Sequence, residues 1–86
     1  MNQIKEIINS ILCEVLENEQ LVLEDKTDLY VEYGLDSIGM MGALVRLENS
    51  LEVTVPDEKL VAENLRYYGN FYKLMERLVE EKESRK

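Results

Sequence analysis

Few residues of this 86-residue chain are equipped for chemistry of their own. There is no histidine, which removes the commonest general base and metal ligand. Cys13 is the single cysteine, so no intramolecular disulfide and no cysteine-rich metal site can form. What stands out instead is Gly34-Leu35-Asp36-Ser37-Ile38, where a glycine-broken segment gives way to an apolar helical pattern. A serine at that junction is exposed and held in place. It has no base beside it, so its hydroxyl is inert alone and can react only when another protein activates it. The plain reading of the same residues is a helix start, with Asp36 as N-cap and Ser37 as an ordinary first-turn residue.

The elements that position this serine follow from apolar spacing. Ile4, Ile7, Ile8, Ile11, Leu12, Val15 and Leu16 recur every three or four residues, predicting an amphipathic helix from about residue 3 to 17, capped by Asn2. Cys13 falls opposite the centre of that stripe and reads as a partly exposed helix residue. Residues 18–35 form a long connection, tacked onto the core by Leu21, Leu23, Leu29, Tyr33 and Leu35, with Thr27 and Asp28 capping a short turn. So long a loop in so small a domain is often functional. A second helix is predicted from Ser37 to Ser50, burying Met41, Leu44, Leu47 and Leu51. Gly39 and Gly42 are costly inside it, about 1 kcal/mol each relative to alanine, which leaves close approach of another group as one explanation.

Val53-Thr54-Val55-Pro56 alternates but is short and ends at proline, so it reads as an extended connector followed by a turn at Asp57 or Glu58. A short third helix is expected from Glu63 to Tyr67. Gly69 is expected to stop it, and Asn70 to cap a last helix that buries Phe71, Leu74, Met75, Leu78 and Val79 and frays from Glu80 onward. The expected fold is all-α: a four-helix bundle of three main helices and a short third one, with a long loop between the first two. Residues 1–86 read as one domain.

Charge narrows the partners. Eighteen acidic residues against ten basic ones give a net charge of −8, which argues against nucleic acid and for basic patches on protein partners. Residues 1–35 hold eight acids and two bases, whereas residues 71–86 hold four acids and five bases. No apolar run approaches a membrane span and no signal-peptide pattern is present, so a soluble cytoplasmic domain is expected, as a monomer.

Taken in order, the opening amphipathic helix, the long loop ending in Gly34-Leu35-Asp36-Ser37-Ile38, the Val53–Pro56 connector and the closing helix resemble the acyl and peptidyl carrier proteins. The resemblance covers nearly the whole chain. It implies that Ser37 receives 4′-phosphopantetheine from coenzyme A through a separate phosphopantetheinyl transferase, with Asp36 helping to present the site. It implies a carrier rather than an enzyme: the thiol of the arm holds the substrate as a thioester. A loading ligase or adenylating enzyme and downstream synthases or transferases are then the partners. Their docking surface is expected to include Ile38, Met40, Val45, Arg46 and Glu48.

The family pattern is departed from on the second helix. Fatty-acid carriers place several acids there, but residues 36–55 hold three acids and one base, with Gly39, Gly42, Arg46 and Asn49 on the corresponding face. Glu63-Asn64-Leu65-Arg66 resembles discrete carriers of polyketide and nonribosomal peptide pathways, and Gly39 after Asp-Ser-Ile is similar to D-alanyl carriers. A free-standing carrier of a specialised pathway is the expectation, with the D-alanyl and fatty-acid types as alternatives. An acidic helical adaptor that keeps the fold but is never modified is the alternative of a different class.

Overall fold

The computed structural model describes residues 3–84. Five α-helices and one 3-10 turn follow one another: α1 (Gln3–Leu16), α2 (Leu29–Tyr33), α3 (Ser37–Leu51), the 3-10 turn Asp57–Lys59, α4 (Ala62–Arg66) and α5 (Tyr68–Ser84). The three long helices are those the periodicity predicts. The short third helix of the predicted bundle is α4, and α2 is a single extra turn set within the long connection. Asn2, the expected cap of α1, lies outside the described residues.

The long helices pack because each buries one stripe. Ile8, Ile11 and Leu12 of α1 meet Ala43, Leu44 and Leu47 of α3 and Phe71, Leu74 and Met75 of α5 in one cluster. The long connection is fastened to it by Leu29 and Leu35, both buried. Val55 anchors the extended connector in the same way.

Two features depart from the expectation. Gly69 does not end α4 and Asn70 does not cap α5. Tyr67 takes an extended conformation, and α5 begins at Tyr68. The exposed N–H groups at the start of a helix need partners, and here the loop supplies them. Tyr68 N–H donates to the Thr27 carbonyl (2.9 Å) and Gly69 N–H to the Asp25 carbonyl (3.0 Å). A Cβ on residue 69 would lie 2.9 Å from that Asp25 oxygen, so glycine is there for close approach of backbone. The Asn70 amide instead reaches back to the Glu63 carbonyl (2.9 Å), tying α5 to α4. Among the described residues α5 runs to Ser84.

Gly42 is the opposite case: nothing lies within 4 Å of where its Cβ would be. The pair gives opposite expectations. Gly42→Ala should raise stability by roughly 0.5–1 kcal/mol through helix propensity. Gly69→Ala should lower it, because forcing a methyl onto a backbone oxygen costs typically ~1–3 kcal/mol. Leu47→Ala, at a fully buried position, should lower it by about 2–5 kcal/mol. Urea titrations of the three variants check the signs and sizes.

Candidate functional site

Ser37 is held by what lies on either side of it. Three residues earlier Gly34 closes α2 in a left-handed conformation (φ 70°), which a side chain would strain. Its N–H bonds to the Tyr30 carbonyl (3.0 Å), and Leu35 N–H bonds to the Leu29 carbonyl (3.1 Å). That turn drives the Leu35 side chain into the core. Asp36 is extended and caps α3: its Oδ1 accepts Gly39 N–H at 2.7 Å, and its carbonyl accepts Met40 N–H at 2.8 Å. Met40 is then buried in its turn. Between the anchors Leu35 and Met40, the three residues Asp36, Ser37 and Ile38 are exposed.

The arrangement suits attachment of a phosphodiester. Ser37 is the first residue of a 15-residue helix, whose first-turn N–H groups and positive dipole end favour an anion there. Asp36 occupies Gly39 N–H alone among them. Among the described residues no side chain is hydrogen-bonded to the Ser37 hydroxyl, so no base is engaged with it.

The exposed face of α3 lies next to Ser37, and here the sequence reading needs correction. At about 100° per residue, Met40, Ala43, Leu44, Leu47 and Leu51 share the buried face. Met40, expected to meet partners, is 1% exposed; Met41, expected in the core, is 47% exposed. The predicted stripe ran through Met41 and was centred too far round the helix. Ile38 and Val45 are exposed as expected, at 84% and 52%. Ile38, Met41, Gly42, Val45, Arg46 and Asn49 all fall within about 140° of one another. Ile38, Met41 and Val45 make the part of this surface nearest Ser37 apolar, with no side chain at Gly42 and with Arg46 and Asn49 at its polar side.

The two charged residues expected on this surface have other engagements. Arg46 Nη1 contacts Glu14 Oε1 of α1 at 3.0 Å, an exposed pair worth about 0–1 kcal/mol that offsets the arginine's charge. Glu48 is half-buried, and its Oε2 accepts Val55 N–H at 2.8 Å, bracing the turn after α3.

The most connected ionic contact was not legible in sequence. Asp28 caps α2 through Oδ1, which accepts Tyr30 and Val31 N–H, both at 3.0 Å. Its Oδ2 accepts Arg66 Nε of α4 at 2.6 Å. The cap was readable from Thr27-Asp28; the partner, 38 residues on, was not. Of the three clustered tyrosines, Tyr68 is core, its hydroxyl donating to Asn9 Oδ1 at 2.9 Å. Tyr72 bonds Glu76 at 2.8 Å and lies under Lys5. Tyr67 remains on the surface beside Arg66. Cys13 is half-buried, as its position on α1 predicts.

The phosphopantetheine attachment site family matches residues 6–66, from the first turns of α1 through the last residue of α4. The chain belongs to that family. It is a carrier protein whose cofactor is covalently attached 4′-phosphopantetheine, and such carriers meet a modifying transferase and further enzymes. No curated protein matches the chain in sequence. Among the described residues, no helix is long and apolar enough to cross a membrane.

The Asp28–Arg66 contact has a consequence for acid stability. Partial burial pushes the Asp28 carboxyl up. The N–H bonds from Val31 and Tyr30, together with the hydrogen bond and charge of Arg66, outweigh this and hold it below the usual carboxylate range. A lowered folded-state value stabilises the fold above the unfolded-state value, and the contribution is lost as pH falls through the folded one. Wild type should therefore lose stability more steeply below the usual carboxylate range than Asp28→Asn does, as read from urea midpoints against pH. Equal slopes would mean the contact does not couple to folding.

Proposed function

We propose that Ser37 is the residue to which 4′-phosphopantetheine is attached, and that the chain serves a specialised pathway of the polyketide or nonribosomal peptide type. The observation that carries the first statement is the exposed hydroxyl at the start of α3, fixed between the buried anchors Leu35 and Met40. When attached, the arm supplies a terminal thiol that holds an acyl or aminoacyl group. The chain's own part is to present Ser37 to the transferase, with Asp36 fixing the helix start, and then to present the same end of α3 to a loading ligase or adenylating enzyme.

The pathway reading rests on the face of α3. Docking to a basic patch, as in fatty-acid carriers, needs free carboxylates there. Glu48 is committed to Val55 N–H, and Arg46 and Glu14 compensate each other. Ile38, Met41 and Val45 offer apolar contact instead, with Gly42 allowing a partner close to the backbone. The D-alanyl type, suggested by Gly39, is the second reading.

Incubating wild type and Ser37→Ala with a broad-specificity transferase and coenzyme A tests attachment by intact mass. Wild type should gain one arm and the alanine variant none. Modification of the variant would move the site, and an unmodified wild type would favour the adaptor alternative.

Docking is tested on the loading enzyme. Ile38→Ala and Val45→Ala should raise its KM several-fold with kcat little changed, and catalytic efficiency should depend weakly on salt, since exposed ion pairs are screened. A steep salt dependence, with Val45→Ala silent and Arg46→Glu improving loading, would restore electrostatic docking.

A further inference from the structure

Four of the eight described cations of this acidic chain have an engagement. Arg46 pairs with Glu14 and Arg66 with Asp28. Lys82 Nζ donates to the Leu51 carbonyl at 2.8 Å, and Lys5 lies 5.0 Å from the centre of the Tyr72 ring. Three others converge. Lys59 of the 3-10 turn and Lys73 and Arg77 of α5 line one groove of about 260 Å³ beside α4. All three are exposed, and among the described residues none has an ion-pair partner. Glu81, four residues after Arg77 on α5, is the one carboxylate lining the groove and forms no ion pair with it.

This grouping is unfavourable for the fold alone. Lys73 and Arg77 are four apart on one helix face, where like charges repel, and Lys59 adds a third charge. The walls are nonetheless fastened. Asn64 Nδ2 donates to the Lys59 carbonyl and Asn70 Nδ2 to the Glu63 carbonyl, both at 2.9 Å. Leu74 and Leu78 supply apolar floor.

We propose that this groove docks an acidic, leucine-containing segment of a partner protein. The volume is below the roughly 300–1,000 Å³ of small-molecule sites and suits one or two side chains. Lys73 and Arg77 rise about 6 Å along α5, a spacing that meets successive carboxylates of a segment rather than a single small anion. On a chain of net charge −8, a local positive groove admits an acidic partner that the remaining surface repels. None of the lining residues belongs to α3 or to the loop before Ser37. A partner held here leaves the attachment end free, and tethering raises the effective concentration of whatever that end must meet.

The test uses full-length 15N-labelled Ser37→Ala, so that it stands apart from the attachment reading. The probe is a short synthetic peptide of Glu, Asp and Leu, followed by amide shifts at low and high salt. The expected result is saturable, salt-sensitive shifts at Asn64, Asn70, Lys73 and Arg77, with affinity falling about tenfold in Lys73→Glu/Arg77→Glu. Lys59→Glu, on the 3-10 turn, is the second variant should the double change disturb α5, and it should weaken binding in the same direction. Absent shifts, or shifts unchanged in the charge-reversed variants, overturn the proposal. So does equal occupancy by inorganic diphosphate, which would make it a small-anion site. Binding to phosphatidylserine vesicles without binding the peptide also overturns it, in favour of a lipid surface.

Discussion

The segment Asp25–Asp28 is where the separate parts of the molecule are tied. Carbonyls of Asp25 and Thr27 satisfy the first N–H groups of α5, and the Asp28 carboxylate caps α2 while holding Arg66 of α4. The same segment runs through α2 into Gly34, Leu35 and the serine. A buried Thr27, whose Oγ1 accepts Glu24 N–H at 2.8 Å, keeps the turn closed. Without this tie the connection between α1 and α3 would be a long free loop, and the entry into α3 would lose its fixed direction. Order at Ser37 therefore begins some ten residues upstream, in backbone bonds to the opposite end of the chain.

That arrangement explains how a protein without histidine or a reactive cysteine takes part in chemistry. The fold does not activate a hydroxyl; it exposes one and immobilises its surroundings. Exposure of Asp36, Ser37 and Ile38 is obtained by burying Leu35 and Met40 beside them. Recognition then falls to the surfaces the helices leave open. The exposed face of α3 adjoins Ser37, whereas the groove proposed for docking is lined by α5, α4 and the 3-10 turn and by no residue of α3. A carrier that must meet several partners in turn benefits from keeping these surfaces apart.

Much of this was legible in the sequence because it depends on local rules. Asp36 and Asp28 as caps, the extended Val53–Pro56 connector, and Leu29 and Leu35 as loop anchors all follow from residue type and short-range spacing. Met40 and Met41 were exchanged because both fit a three- or four-residue spacing; only the angular centre set by Ala43, Leu44 and Leu47 separates them. Gly69 looked like a helix stop because a glycine usually relieves backbone strain. Here it makes room for Asp25, a contact 44 residues away in sequence that no local pattern carries. Arg66 was hidden for the same reason, and Glu48 looked free because its partner is a backbone N–H in the following turn.

The central claim is that the family's cofactor sits on the hydroxyl exposed at the start of α3. The most direct measurement is fragmentation mass spectrometry of the modified wild-type protein after proteolysis, localising the added group to a single residue. The account predicts that it lies on Ser37 and on no other hydroxyl. Finding it on an exposed serine elsewhere, such as Ser10 of α1 or Ser50 at the far end of α3, would contradict the account.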